Sequence, residues 1–127
     1  MAKPTLTIII PAYQVGDTLA KCVNSVASQD FQSWQAIIVD DGSPDNTPQI
    51  ADYLASQDSR IITVHKANGG LSDARNYALD ILFGKTTIDI SLPLGITDYV
   101  TFIDSDDYIL PGTLSPLMED LANHPEY

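Results

Sequence analysis

Basic residues are scarce in this chain. Six lysines and arginines stand against seventeen aspartates and glutamates, a formal net charge of -11 at pH 7. Non-specific binding to DNA or RNA needs a basic surface that displaces counterions, so the balance argues against a nucleic-acid partner. It argues equally against electrostatic docking on anionic lipid. Cysteine is scarcer still: Cys22 stands alone, which excludes an internal disulfide. Its place in a helical spacing reads as a small buried hydrophobe. No apolar run approaches the ~20 residues of a membrane span. The opening Met1-Ala2-Lys3-Pro4 lacks the apolar stretch of a signal peptide. A reducing, cytoplasmic setting is therefore expected, with attachment of a longer parent to the inner face of a membrane left open.

What is present suits one compact α/β domain. The 127 residues are 44% hydrophobic, enough for a core. Thr5 to Ile10 reads as a first strand stopped by Pro11. Leu19, Cys22, Val23 and Val26 then repeat at helical spacing, with Asp17 or Thr18 as cap. Gln35 to Val39 reads as a second strand. Asn46 or Thr47 opens a helix with Pro48 in its first turn and Ile50, Tyr53 and Leu54 on one face. Arg60 to Val64 is a third strand, and Leu71, Ala74, Ala78, Leu79 and Leu82 stripe a third helix that Gly84 stops. Tyr99 to Ile103 reads as a buried fourth strand, and Ser115-Pro116 opens a last helix carrying Leu117, Leu121 and Ala122. The long connection over residues 85–98 alternates from Thr87 to Leu92, as a short edge strand or hairpin would. Strands separated by helices imply a mostly parallel sheet covered on both faces. Ligands bind such sheets beyond the carboxyl ends of the strands.

Three chemical segments fall at those ends. Asp104-Ser105-Asp106-Asp107 closes the fourth strand. Like charges so close repel unless a cation or water neutralises them. Hard cations such as Mg2+ and Mn2+ take one or two carboxylates plus substrate phosphates, so the cluster points to metal-assisted chemistry on a phosphorylated substrate. Asp40-Asp41-Gly42-Ser43 closes the second strand. It reads either as a turn with Asp capping backbone N–H groups or as an acceptor for a nucleobase N–H or ribose hydroxyl. Pro11-Ala12-Tyr13 closes the first; Tyr13 is a packing aromatic or a platform for a base. Asn68 to Asn76 is glycine-rich and opens a helix, a setting that favours phosphate, although it has neither Walker A nor Gly-x-Gly-x-x-Gly spacing. Arg75 can pair with a phosphate or with a carboxylate. His65 and His124 have no partner at metal-ligand spacing and read as surface residues.

Together, Thr7 to Tyr13, Val39 to Thr47, Asn68 to Asn76 and Phe102 to Asp107, in that order, closely resemble the family 2 glycosyltransferases of the GT-A fold. The resemblance runs over residues 5–123. It implies a Rossmann-like, nucleotide-diphospho-sugar transferase fold forming one domain over residues 1–127, truncated from a longer enzyme. It also implies transfer of a sugar from a UDP-sugar or similar donor to an acceptor hydroxyl, with inversion, in polysaccharide or glycolipid synthesis. The donor site it implies comprises Pro11, Ala12, Tyr13, Asp41, Gly70, Arg75, Asp104 and Ser105, with Mn2+ or Mg2+ at Asp104 and Asp106 and support from Asp107. The acceptor is a saccharide or a lipid-linked saccharide. The family's catalytic base follows the Asp-x-Asp half, and no carboxylate here is assigned to it. Gln14 departs from the asparagine usual after Tyr13, which weakens the entry cap of the first helix.

Two other readings stand beside this one. A non-catalytic nucleotide-sugar-binding module would share the same residues and lack the base. A flavodoxin-like regulatory domain would share the alternation and the clustered aspartates, but it leaves Asn68 to Asn76 and Asp41 without a role. If the sheet keeps an open edge, self-association is expected.

Overall fold

The structure is a computed structural model that describes residues 4–85 and 90–124. Four parallel strands form one sheet in the order β3-β2-β1-β4. They are β1 (Leu6–Ala12), β2 (Trp34–Asp41), β3 (Ile61–Lys66) and β4 (Tyr99–Phe102). Helices α1 (Leu19–Ala27), α2 (Thr47–Gln57), α3 (Leu71–Leu82) and α4 (Leu114–Asn123) complete the domain.

Period-two alternation divides the core. On one face Leu6, Ile8, Ile10, Ala36 and Ile38 meet α1, α2 and α4 through Leu19, Cys22, Val23, Ala51, Leu54, Leu114 and Met118. On the other, Ile9, Ile37, Val39 and Val64 meet Ala74, Ala78 and Ile81 of α3. Both central strands are buried along their whole length, as continuous β-branched runs demand. The helical stripes differ in detail from the expected ones. Tyr53, Leu71 and Leu117 are exposed, because Ala51, Ala74 and Met118 take the inward positions of their helices.

Proline 11 does not stop β1. Tyr99 N–H donates to the Thr5 carbonyl and Ile103 N–H to that of Ile9, so odd-numbered residues of β1 turn their backbone toward β4. The β1–β4 pairing ends at Ile9 and Phe102. At Pro11 the absent N–H therefore faces a side with no strand partner, where proline is tolerated. Strand β4 is only partly buried and Phe102 is 40% exposed. It is the edge of the described sheet, not the buried strand its apolar run implies.

Of the expected edge strand or hairpin at Thr87 to Leu92, residues 86–89 lie outside the described residues. Residues 90–98 form no strand. Ile90 and Leu92 instead pack on the α3 face of the sheet, and Gln35 holds the segment. Its Nε2 donates to Gly95 O (2.7 Å) and Thr7 Oγ1 (3.0 Å), and its Oε1 accepts from Leu94 N–H (2.8 Å). A fully buried glutamine is stable here because both ends of its amide have partners. Gln35→Ala removes the partner of the Leu94 N–H and the Gly95 carbonyl, while Thr7 Oγ1 keeps Thr97, and is expected to cost about 2 kcal/mol. Urea unfolding checks this; a loss under about 0.5 kcal/mol, the size of an ordinary surface change, refutes the stapling role.

Candidate functional site

At the carboxyl ends of the strands the chain opens into adjoining depressions. One, of about 550 Å³, is lined by Pro11 and Ala12 from β1, Tyr13 just beyond it, Asp41 from β2, Gly70 at the N-cap of α3, and Asp104, Ser105 and Asp106 beyond β4. Its size is that of a small-molecule site. Arg75 borders a neighbouring depression of about 420 Å³, which shares Asp104 and Asp106 with the first. The parallel sheet thus brings together the donor-site and metal-site residues that the family resemblance implies. A separate cavity of about 450 Å³, between Phe31 and Met118, is lined by none of them.

The β2 end divides its two aspartates between the faces of the sheet. Asp40 pairs in register with His65, and Asp41 with Lys66. Asp40 turns to the α2 side, where His65 bridges it (Nδ1, 2.8 Å) to Asp52 of α2 (Nε2, 2.9 Å). Its other oxygen accepts from Ser43 N–H at 3.0 Å and shapes the turn. His65 is thus tied between two carboxylates rather than being an idle surface group. Its hydrogen bond to the Asp40 carboxylate lifts the imidazole above the usual 6.5; burial opposes this and Asp52 adds to it.

Asp41 turns the other way and is almost wholly buried. Oδ1 accepts from Lys66 Nζ (2.8 Å) and Gly69 N–H (3.0 Å), and Oδ2 from Gly70 N–H (3.0 Å). Burial pushes its carboxyl up, but Lys66 and the two amides outweigh this and hold it below 3.8. Gly70 reaches that amide with φ +96°, a conformation that favours glycine. Gly42 has φ +72°, and a Cβ there would lie 2.6 Å from the Asn68 backbone nitrogen. The turn after β2 and the loop before α3 are therefore packed backbone to backbone.

The β1 end carries strain. Gln14 has φ +53° and is the one non-glycine with positive φ among the described residues. Its N–H donates to Ser43 Oγ at 3.1 Å. Asparagine tolerates this region better than glutamine. The departure at Gln14 thus bears on loop strain and not on the helix entry, where Thr18 occupies the N-cap.

Beyond β4, carboxylate oxygens of Asp104, Asp106 and Asp107 lie within 4.8 Å of one another, all three residues exposed. Arg75 reaches one of them, Nη2 to Asp104 Oδ1 at 3.3 Å, with its guanidinium 5.2 Å from the Phe102 ring centre. Three exposed carboxylates with one partial counter-charge make an oxygen donor set suited to a hard divalent cation. Cys22 underlies this turn and its Sγ donates to the Asp104 carbonyl at 3.6 Å. Burial, reinforced by Asp107, Asp106 and Asp104, pushes its thiol up to about 12, so it stays a protonated packing group.

Lys66 is the residue that the sequence reading missed. It ends β3 two residues before Asn68, and only the register opposite Asp41 gives it a role.

The profile described as Glycosyl transferase family 2 matches residues 7–127. Glycosyltransferase GlyA of Streptococcus pneumoniae serotype 4 is 36% identical over 119 residues, 94% of this chain and 15% of GlyA. Glycosyltransferase EpsJ of Bacillus subtilis is 34% identical over 117 residues, 92% of this chain and 30% of EpsJ. The chain thus spans less than a third of these relatives. Among solved structures, S. aureus TarS in complex with UDP-GlcNAc superposes with TM-score 0.77 at 28% identity, covering 95% of this chain and 32% of that one. The fold is the GT-A fold.

Two outcomes are expected from this geometry. Gly42→Ala adds left-handed strain to a backbone clash and is expected to cost more than about 1 kcal/mol in urea unfolding, with displaced amide signals for Gly69 and Gly70. The second concerns pH. The raised pKa of His65 means that its contribution to stability is complete below pH 6.5 and is lost as pH rises through the higher folded-state value. Stability followed across this range should fall more steeply in the native protein than in His65→Gln, and parallel curves would refute the linkage.

Proposed function

Because the chain belongs to glycosyl transferase family 2, we propose that its strand ends form the donor site of an enzyme that moves a sugar from a UDP-sugar to an acceptor hydroxyl. The observation that carries this reading is the meeting of Tyr13, Asp41 and the Asp104–Asp107 turn around one cavity. The UDP-GlcNAc held by TarS supports uridine as the nucleoside.

Each residue then has a physical role. Pro11, Ala12 and Tyr13 wall the nucleoside pocket. Asp41, ionised and able only to accept, takes the ring N–H of the base. Gly70 leaves open space beside it, since a Cβ there would meet nothing within 4 Å. Asp104 faces the ribose, and Ser105 packs beneath the turn. Arg75, close to Asp104, lies near the diphosphate, where a guanidinium stabilises phosphoryl charge.

Asp104 and Asp106 would hold Mn2+ or Mg2+, with Asp107 beside them. When bound, the cation acts as a Lewis acid on the departing nucleoside diphosphate. Inversion requires a base for the acceptor's proton, and we assign that base to the longer parent protein, of which this chain is the donor-binding domain. The acceptor is a saccharide or lipid-linked saccharide, in cell-surface polysaccharide or glycolipid synthesis on the cytoplasmic side. No helix among the described residues is long and apolar enough to cross a membrane.

Calorimetric titration with UDP, first with Mn2+ and then with EDTA, tests the reading. Binding is expected to need the cation and to weaken at least about tenfold in Asp106→Ala, since loss of a direct ligand should exceed the effect of losing an outer-shell partner. Equal affinity in both proteins would remove Asp106 from the metal site. No UDP binding in either condition would count against a self-sufficient donor site in this chain.

A further inference from the structure

Lys66 is spent entirely on the protein itself. Its side chain is 10% exposed, and an ammonium has three protons to donate. They go to Asp41 Oδ1 (2.8 Å), the Ala67 carbonyl (2.6 Å) and Asp73 Oδ2. Asp41 and Asp73 hold the ammonium charged against the burial that opposes it. With three partners in place, Lys66 has no donor left for a ligand in the cavity that Asp41 lines.

Its effect falls on Asp41. An ionised carboxylate offers about four lone-pair positions. Lys66, Gly69 and Gly70 occupy three, which leaves one on Oδ2. The carboxylate cannot swing without breaking bonds to two segments. We propose that Lys66 is a positioning residue for nucleobase recognition: it fixes Asp41 as a carboxylate with one free acceptor, so that the pocket takes a base presenting a ring N–H, such as uracil, and refuses one presenting a bare ring nitrogen, such as cytosine. This rests on the donor-nucleotide reading of the same cavity.

The local charges indicate how the device fails. Asp73 of α3 is the other carboxylate on Lys66, and Asp104 and Asp106 border the cavity. Arg75 is engaged with Asp104. The His65–Asp40–Asp52 group lies toward α2, on the opposite face. Without Lys66, Asp41 would keep only the Gly69 and Gly70 amides against its burial, with acidic charged neighbours, which shifts the balance toward the protonated form. A protonated carboxyl can donate, and a donor suits cytosine as well as an acceptor suits uracil.

The experiment titrates UDP and CDP, each with Mn2+, into the native chain, Lys66→Met and Lys66→Arg between pH 5 and 8. The native chain is expected to prefer UDP at least about tenfold, as a site built for a hydrogen bond rejects a ligand that leaves it unpaired. Lys66→Met should lose at least about tenfold in UDP affinity through breaking a buried ion pair. Its UDP/CDP ratio should fall toward one, most strongly at the acid end. Lys66→Arg should restore the ratio in part. Should Lys66→Met fail to fold, Asp73→Ala at an exposed position removes one anchor of the ammonium and should lower the ratio about threefold, the size of one modest hydrogen bond. A structural role alone would weaken UDP and CDP alike and leave the ratio and its pH profile unmoved; that result, or a native chain indifferent to the base, overturns the inference while UDP binding keeps the donor-site reading. A native chain that binds neither nucleotide overturns both.

Discussion

The carboxylate of Asp41 joins three segments at the ligand-facing edge of the sheet. It ends β2, takes the ammonium that ends β3, and receives two backbone amides from the loop that opens α3. Each bond is ordinary in length; their number is what matters. A buried anion with one partner would be costly, whereas one with three donors is stable and immobile. Gly42 and Gly70 follow from this arrangement. One lets the turn approach the Asn68 backbone, and the other aims its amide at Oδ2 with φ +96°. The cavity wall beside Tyr13 is therefore preorganised, which limits what binding must order.

The opposite wall is built on repulsion. Asp104, Asp106 and Asp107 converge at an exposed turn with Arg75 answering only one of them. Beyond the Arg75–Asp104 pair, these carboxylates repel one another. The backbone of the turn is held from below, by Cys22 at the Asp104 carbonyl and by Ile103 N–H on Ile9 O. The site thus joins a satisfied anion that belongs to the fold with an exposed acidic group whose oxygens could hold a cation. The two have different chemistry although all are aspartates, and environment rather than residue type separates them.

Much of this was legible in the residues. The β-branched runs at Ile8 to Ile10 and Ile37 to Val39 can be covered on both faces only in a parallel sheet, and they are. Alternation of strand and helix put Tyr13, Asp41 and Asp104 at one sheet edge. Where the reading differs from the structure, tertiary context decides. Pro11 continues β1 because its missing N–H faces past the end of β4. Residues 90–98 pack as coil, and Gln35, a polar residue inside a strand, holds the Leu94 N–H and the Gly95 carbonyl of that segment. Gln14 matters through a left-handed backbone, and no propensity announces that in a glutamine.

The sequence by itself determined the fold class, the family and the acidic turn, because each depends on patterns local in the chain: strand periodicity, glycine at a helix start, carboxylates two residues apart. Tertiary structure alone decided how Asp40 and Asp41 divide their work. Adjacent strand residues point to opposite faces, so one meets His65 and Asp52 and the other meets Lys66 and the Gly69–Gly70 amides. His65 and Lys66 each come from 25 residues along the chain, and Gly69 and Gly70 from 28 and 29. Their register with β2 is fixed by packing of the whole sheet, which no local stretch of sequence contains.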